Sequence, residues 1–261
     1  MKDGESNLRS SVNLPDNKYR IRLTRVMTIA IILAGGTGQR VGADIPKQFL
    51  EVDGKPIIVY TLSAFQNHTE IDKIVVVCVK DWEDEVLHYK EAYGLSKISK
   101  IIAGGNNSME SIRNGVFGIE DICDSDDIAI IHDAVRPLIS HEVISDCIRV
   151  CKENGNGCAS IPLQETIVRT EDQISGNINI DRSKIMRVQT PQAYRYDTLL
   201  DLYKRATEIG ITESIYANTL LLELGGSVFF SKGSYINMKI TTSDDIGLFR
   251  TLLKYISDSS Q

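Results

Sequence analysis

The sequence predicts an α/β fold with a doubly wound, mostly parallel, Rossmann-like sheet and a projecting β-hairpin arm. Apolar, β-branched runs alternate with segments of helical spacing along most of the 261 residues, which is typical of a parallel sheet flanked by helices. Several of the apolar runs are continuous, as expected of strands buried on both faces. Between residues 165 and 192, β-branched residues alternate on both sides of a polar turn, and this pattern predicts the hairpin.

The predicted strands and helices follow one another in a regular order. The first strands are 28–34, 73–79, 97–104 and 127–134, and the first helices are 55–68, 81–94, 108–119 and 140–155. Beyond the hairpin we expect helices at 196–208 and 212–224, a strand in "SVFFSKG" and a last helix that begins at "TTSDD". Right-handed crossovers place helices on both faces of such a sheet, and ligands bind at the carboxyl ends of its strands.

Capping residues support several of these bounds. Ser140 is a good N-cap for the helix over 140–155, and Gly94 ends the helix over 81–94. Thr242 with Asp245 resembles a capping box in which Asp replaces the usual Glu.

The chain divides into an extension and one domain. Residues 1–26 are polar and rich in Lys and Arg, so we expect a flexible N-terminal extension, and residues 27–261 form the domain. A two-stranded hairpin alone is only marginally stable in water. The hairpin over 165–190 therefore needs a partner, and we expect it to be a dimerisation arm of a homodimer.

Composition excludes several classes of protein. The net charge is -6, so no basic face for nucleic acid is forced by composition. No apolar run approaches the length needed to span a membrane. The five cysteines form no C-x-x-C pair, which favours buried, reduced thiols in a cytoplasmic protein over a zinc site.

A glycine-rich stretch after the first strand predicts a phosphate site. The run "AIILAGGTGQRVGADIPKQFL" spans 30–50. Glycines let the backbone approach a ligand closely, and the N–H groups of such a turn form a concave anion site. Arg40 and Lys47 add positive charge beside the phosphates, Arg as a fork and Lys as a point charge.

Two well-known nucleotide motifs do not fit this stretch. The dinucleotide motif G-x-G-x-x-G needs a glycine at position 41, which is Val41. A Walker A loop ends in Gly-Lys-Ser/Thr, whereas this loop continues Gln39-Arg40. A nicotinamide oxidoreductase and a ligand-free tight turn remain weaker alternatives.

The motifs together resemble a known family. The stretch "LAGGTGQRVGADIPKQFL" is similar to the signature of nucleotidyltransferases that activate sugars and sugar alcohols. Its ending resembles that of cytidylyltransferases that make CDP-alcohols from ribitol 5-phosphate or methylerythritol phosphate. The similarity continues through "GG…S" (104–111), "HDAVRP" (132–137), "TPQ" (190–192) and "NMKITT" (237–242), and covers about residues 28–255.

The resemblance implies a reaction and its residues. The phosphate of an alcohol phosphate attacks the α-phosphorus of CTP, and pyrophosphate leaves. Catalysis then depends on positioning and on neutralising charge, with Mg²⁺ as cofactor. The implied catalytic residues are Arg40, Lys47, Arg182 and Lys239; those binding CTP are Ala34, Gly35, Gly36, Gly105 and Ser111; those binding the acceptor are Asp133, Arg136, Thr166, Thr190 and Thr212. Asp133 is also the implied metal ligand.

The resemblance also places part of the site on the arm, so that Arg182 and Thr166 act across the dimer interface in the partner's site. Three positions depart from the family. Ser108 stands where the family often has Arg, Glu213 stands where it often has Asp, and Val41 stands where Met is usual, which is a mild change. We expect activity to survive these changes, because the predicted cations remain.

The acceptor stays open between two alcohol phosphates. The "LAGGTG" and "KITT" motifs and Trp82 are more similar to the ribitol-5-phosphate branch, whereas "HDAVRP" is at least as similar to the methylerythritol branch. We favour a pentitol phosphate. A non-catalytic nucleotide-binding scaffold is the alternative from a different class, motivated by the missing loop Arg.

Overall fold

The computed structural model describes residues 25–36 and 45–259, with a strand and helix order close to the one predicted. The strands are β1 (Thr28–Ala34), β2 (Glu51–Val52), β3 (Lys55–Pro56), β4 (Lys73–Cys78), β5 (Ile98–Ala103), β6 (Ile128–Asp133), β7 (Asn156–Pro162), β8 (Ile167–Arg169), β9 (Ile178–Ile180), β10 (Met186–Arg195) and β11 (Phe230–Lys232). The α-helices are α1 (Ile57–Gln66), α2 (Glu83–Ala92), α3 (Ser108–Phe117), α4 (His141–Asn154), α5 (Tyr196–Glu208), α6 (Ala217–Glu223) and α7 (Ser243–Ser259). Arg40 and residues 1–24 of the predicted extension lie outside the described residues.

The main sheet has seven strands in the order β11-β7-β10-β6-β1-β4-β5. β1 is parallel to both neighbours, with Ile31 opposite Val75 of β4 and Ile131 of β6. β10 is antiparallel to β6 and β7. The predicted mostly parallel, doubly wound sheet is confirmed.

The two faces of the sheet bury separate apolar layers. Along β1, Ala30 and Ile32 pack into the layer that contains α1, α2 and α4. Ile29 and Ile31 pack into the opposite layer, which contains α3, α5 and α6. Each isoleucine is fully buried, which stabilises the fold by about 1.5–3 kcal/mol per side chain. β1 is therefore a rigid base for the loop that follows it.

The structure differs from the prediction in the second half of the chain. β7 was not predicted, and residues 186–195 form a long strand inside the sheet, not the second arm of a projecting hairpin. The sequence pattern did not indicate a buried strand here, because β10 contains polar residues. In the structure these residues are buried and hydrogen-bonded: Gln192, for example, is 1% exposed and donates to Asn218 Oδ1. The helix predicted from 212 begins only at Ala217.

A smaller hairpin does project from the sheet. β8 and β9 pair antiparallel, with Val168 opposite Asn179. The turn between them is organised by Asp172, whose Oδ1 accepts hydrogen bonds from the N–H groups of Ile174 and Ser175. Ile174 at this turn is 91% exposed. The predicted arm is present, and its apolar side chains are uncovered in the single chain.

The predicted helix ends are largely confirmed. Ser140 Oγ accepts from the N–H of Val143 at the start of α4, and Gly94 has a positive φ of 63° two residues after α2. Asp245 Oδ2 accepts from the N–H of Thr242 over 2.8 Å, as the acid of a capping box does. In the described part of the chain, the helices lack the combined length and apolarity needed to cross a membrane.

Candidate active site

Several of the predicted site residues lie at one edge of the sheet. Parallel strands end at the same edge, and β1, β4, β5 and β6 are mutually parallel. Gly35 and Gly36 follow β1, Gly105 follows β5 and Asp133 ends β6. The two glycine loops and the acid are therefore neighbours, although they come from three parts of the chain.

The two glycine loops meet at Ser111. The N–H of Gly105 donates to Ser111 Oγ over 3.0 Å, and that hydroxyl donates to the carbonyl of Asn107 over 2.9 Å. A Cβ on Gly35 would lie only 3.0 Å from the same Oγ. Ser111 thus joins the predicted CTP-binding residues of both loops, with Ala34 just before the first loop.

The second loop needs glycine at 105. A Cβ there would lie 2.2 Å from the Cβ of Glu110, in the first turn of α3. Glu110 in turn accepts from the N–H of Asn106 over 2.6 Å, while Asn107 caps the helix by accepting from the N–H of Glu110 over 2.8 Å. The loop is held tightly against the start of α3, where helix N–H groups favour anions.

A short 3₁₀ turn over Lys47–Phe49 carries the predicted cation Lys47. Its neighbour Gln48 donates from its side-chain amide to the carbonyls of Ala34 (2.6 Å) and Gly36 (3.0 Å). Phe49 stacks on Trp82 with ring centroids 4.3 Å apart. These contacts fix the turn, and with it Lys47, beside the glycine loop.

A charged cluster surrounds Asp133, which is 5% exposed. Its Oδ2 lies 3.1 Å from Arg136 Nε and 3.3 Å from Lys239 Nζ. The hydroxyl of Tyr216 donates to the same oxygen over 3.3 Å. Lys239 reaches the cluster because its neighbour Ile240 donates to the carbonyl of Val135 over 2.9 Å. The structure thus brings Asp133, Arg136 and Lys239 together.

The charges in this cluster support one another. Burial by itself raises the pKa of Asp133, but Lys239 and Arg136 outweigh it and hold that pKa below its ordinary value. Burial by itself lowers the pKa of Lys239, but Asp133 outweighs it and the pKa is raised. At neutral pH the acid is ionised, the lysine is protonated, and two cations face one carboxylate.

Thr190 lies beneath this cluster. It is 1% exposed, and its Oγ1 accepts from the N–H of Asp133 over 3.1 Å. Asn237 Nδ2 donates to the Thr190 carbonyl over 2.9 Å, and the Asn237 carbonyl accepts from Arg136 Nη1 over 2.9 Å. Thr190 therefore holds Asp133 directly and Arg136 through Asn237.

Thr212 lies on the nucleotide-loop side of the site. It is exposed, and its carbonyl accepts from Asn107 Nδ2 over 3.4 Å. An open cleft of about 420 Å³ lies alongside and is lined by Asn107, Ser108, Met109, Glu213, Ser214, Ile215, Thr219 and Glu223. Two of the positions that depart from the family pattern, Ser108 and Glu213, line this cleft, and the third, Val41, lies outside the described residues.

The arm residues Thr166 and Arg182 are exposed. The guanidinium of Arg182 donates to the carbonyl of Gln164 at the base of the arm. Within the described residues, no hydrogen bond or ion pair joins Arg182 to Asp133 or Lys239. The single chain therefore leaves the predicted arm residues and the cluster unconnected.

His132 is a packed residue of β6. It is fully buried, with Nε2 3.3 Å from the carbonyl of Arg136. Burial lowers the pKa of His132 to about 3. The ring is neutral at physiological pH and contributes packing between β6 and Phe65, whose ring centroid is 5.1 Å away.

Two residues of the site were missed from sequence. Gln48 belongs to the "PKQ" motif, so that motif was the available signal. Tyr216 carried no signal, because it stands inside a segment that was assigned to a helix. Both reach the site through tertiary contacts with residues distant in the chain.

The residues present fit a magnesium ion that is held largely by its substrate. Among the described residues there is no group of three or more His, Cys, Asp or Glu side chains that could hold a metal. Mg²⁺ commonly binds through one or two carboxylates and completes its shell with water and substrate phosphates. The ionised Asp133, beside the two glycine loops, provides one such carboxylate.

These features define a class of protein. A doubly wound sheet whose carboxyl edge carries two glycine loops and clustered cations fits a nucleotidyltransferase. The chain belongs to the IspD family of CTP-dependent cytidylyltransferases: the family model, described as 2-C-methyl-D-erythritol 4-phosphate cytidylyltransferase, matches residues 28–254. The resemblance and the enzyme class predicted from the motifs are confirmed.

The relatives of this chain include enzymes of two different names. A ribitol-5-phosphate cytidylyltransferase of Lacticaseibacillus paracasei is 45% identical over 230 residues, covering 87% of this chain and 98% of the relative. A 2-C-methyl-D-erythritol 4-phosphate cytidylyltransferase of Clostridium acetobutylicum is 36% identical over 236 residues, covering 87% and 98%. The crystal structure of the Francisella tularensis 2-C-methyl-D-erythritol 4-phosphate cytidylyltransferase is similar, with a TM-score of 0.73, 27% identity and coverage of 85% and 98%.

Proposed function

We propose that the protein transfers CMP from CTP to D-ribitol 5-phosphate and forms CDP-ribitol and pyrophosphate. The observation that carries this choice of acceptor is the 45% identity to a ribitol-5-phosphate cytidylyltransferase, against 36% to a methylerythritol-phosphate enzyme at the same coverage of this chain. The Asp133 cluster supports the chemistry, because it offers two cations for an anionic acceptor.

The acceptor's phosphate oxygen is the nucleophile. It attacks the α-phosphorus of CTP, the bond to the β-phosphate oxygen breaks, and pyrophosphate leaves with the bonding electrons. Gly35, Gly36 and Gly105 let the nucleotide approach the backbone of the two loops closely, and Lys47 adds charge. Lys239 and Arg136 hold the acceptor's phosphate, which reduces repulsion between the two anions.

Mg²⁺ is the proposed cofactor, with Asp133 as its protein ligand. When bound, it neutralises charge on the triphosphate and on the leaving pyrophosphate. Arg136 and Lys239 already contact Oδ2 of Asp133. The carboxylate would therefore orient the two cations as well as the metal.

The active form is proposed to be a homodimer made through the arm. The arm exposes apolar side chains at Ile167, Val168, Ile174 and Ile178, and such a patch on a two-stranded hairpin favours burial against a partner. Arg182 and Thr166 would then reach the partner's acceptor site.

The proposed location is the cytoplasm, and the proposed role is supply of a cell-wall or capsule precursor. The five cysteines are free and buried. Burial raises the pKa of the Cys78 and Cys158 thiols to about 12, which keeps them protonated and unreactive. This use of cysteine suits a reducing compartment.

Methylerythritol 4-phosphate, and with it isoprenoid synthesis, is the second candidate, favoured by the family model and the Clostridium relative. Pyrophosphate release from CTP and Mg²⁺ should be measured with each alcohol phosphate in parallel. We expect a higher kcat/KM with ribitol 5-phosphate. Preference for methylerythritol 4-phosphate would overturn the proposed acceptor, and CTP binding without release with either would indicate a non-catalytic scaffold.

A further inference from the structure

Tyr216 connects two charged groups of the site through one hydroxyl. Lys239 Nζ donates a hydrogen bond to the Tyr216 hydroxyl, and that hydroxyl donates its proton to Asp133 Oδ2 over 3.3 Å. A phenol has one proton and two acceptor lone pairs. One lone pair therefore remains for a bound ligand.

The backbone of Tyr216 is fixed from the core side. Its N–H donates to Thr219 Oγ1 over 3.3 Å at the start of α6. Two residues on, the N–H of Asn218 donates to Gln192 Oε1 over 3.2 Å, and Gln192 Nε2 donates back to Asn218 Oδ1. The position of Tyr216 is thus fixed by backbone hydrogen bonds that do not involve Asp133 or Lys239.

Tyr216 also stands between the two halves of the site. Residues 213–215, immediately before it, line the cleft beside Asn107 and Ser108 on the nucleotide side. Its hydroxyl lies in the Asp133 cluster on the opposite side. Burial and the Asp133 charge raise the pKa of Tyr216, so the phenol keeps its proton and stays neutral.

Without the hydroxyl, Lys239 would lose its hydrogen bond to Tyr216 and keep the ion pair with Asp133 and the contact with the Tyr216 ring, whose centroid is 5.2 Å from Nζ. A lysine side chain is long and has many rotamers, so a second contact reduces the number of positions that its ammonium can take. The hydroxyl adds a second, neutral contact that holds the ammonium without cancelling its charge. An ammonium held in this way is pre-organised for a phosphate.

We propose that Tyr216 is a positioning residue for the acceptor: its hydroxyl holds the Lys239 ammonium beside Asp133, where the ammonium binds the phosphate of the alcohol phosphate. This inference rests on the proposed function for the acceptor's phosphate site, but it does not depend on which alcohol is used. CTP is bound by the glycine loops, so its binding should not depend on this hydroxyl.

The test is Tyr216→Phe, which keeps the ring and removes only the hydroxyl. Loss of a hydrogen bond to a charged group predicts a rise in acceptor KM of about tenfold or more, with CTP KM changed less than about twofold. Tyr196→Phe is the matched control, because it removes a hydroxyl that donates to the Val116 carbonyl over 3.0 Å within the same apolar layer. An equal rise in both KM values would overturn the proposal.

A double-mutant cycle separates a positioning role from a structural one. If Tyr216 acts through Lys239, Tyr216→Phe should raise acceptor KM in the wild-type background and have little further effect in a Lys239→Met background. Equal effects in both backgrounds would contradict the proposal. Thermal unfolding of each variant identifies any loss of folded protein.

The acceptor used by the wild-type enzyme is established first, with ribitol 5-phosphate and methylerythritol 4-phosphate. If only the latter reacts, the proposed acceptor fails and the Tyr216 test proceeds with the methylerythritol compound. If neither reacts, calorimetric titration of ribitol 5-phosphate into wild type and Tyr216→Phe replaces KM. No binding to wild type, or equal affinity for both proteins, would overturn the inference.

Discussion

The side-chain amide of Gln48 donates a hydrogen bond to the backbone carbonyl of Ala34 over 2.6 Å. A second bond from the same nitrogen reaches the carbonyl of Gly36 over 3.0 Å. The residue that follows Lys47 therefore holds both sides of Gly35. These two bonds join the 3₁₀ turn that carries Lys47 to the glycine loop.

Gln48→Leu should impair CTP use and stability together. Leucine removes the donor to the Gly36 carbonyl and one of the donors to the Ala34 carbonyl, which keeps the N–H of Val79, in a site where Gln48 is 1% exposed. The cost is about 1–3 kcal/mol in the free energy of unfolding. We expect a rise in CTP KM of tenfold or more, measured by pyrophosphate release, and a lower urea midpoint. The control is Gln66→Leu, which removes an amide bonded to Ser96 Oγ away from the site; an equal rise in CTP KM there would refute the assigned role.

Gly105→Ala should weaken CTP binding. The added Cβ would lie 2.2 Å from the Cβ of Glu110, so the loop or the first turn of α3 must move. We expect at least a tenfold loss of CTP affinity by titration. Gly247→Ala is the control: it lies in α7 with nothing within 4 Å of the new Cβ, and alanine in a helix is more stable than glycine by about 1 kcal/mol. Unchanged CTP affinity in Gly105→Ala would contradict the loop assignment.

Asp133→Asn should reduce stability in a pH-dependent way. The pKa of Asp133 is lowered on folding despite its burial, chiefly by Lys239 and Arg136. Its contribution to stability is therefore complete above the unfolded value near 3.8 and is lost as pH falls through the lower folded value. Since the change leaves two cations without a buried counter-charge, we expect a loss of about 3–5 kcal/mol at pH 7.

The measurement for Asp133→Asn is urea unfolding of wild type and variant at pH 7 and at several pH values below 4. The difference between the two proteins should shrink as the pH falls. A difference that stays constant with pH would mean that the carboxylate charge does not stabilise the fold. Turnover at pH 7 should also fall, because Arg136 and Lys239 lose their common anchor.

Arg182→Ala should leave CTP affinity intact and raise acceptor KM, because the exposed guanidinium lies on the arm. Dimers that combine two differently impaired subunits test whether Arg182 acts in the partner's site. When Arg182→Ala and Lys239→Met subunits are co-expressed, each mixed dimer has one site with both residues intact if the arm serves the partner. Activity above that of either variant alone is expected. No recovery in mixed dimers isolated by two tags would show that the arm serves its own chain.

Sequence alone determined the sheet core and the family. The first strand was predicted at its observed bounds, 28–34, because a strand buried on both faces needs a continuous apolar run. The glycine loops and the residues Lys47, Asp133 and Lys239 were found from ordered motifs. Such features depend on residues close together in the chain, so they can be recognised from the sequence without the structure.

Tertiary structure decided the rest. β10 lies inside the sheet because buried partners satisfy its polar residues, such as Asn218 for Gln192, and no local pattern records those partners. Tyr216 reaches Asp133 across 83 positions of the chain, and Gln48 reaches Ala34 across 14. A hydrogen bond between distant residues exists only after the sheet has brought their segments together. The contacts of the charged cluster and its tyrosine therefore could not be predicted from the sequence, whereas the glycine loops could be.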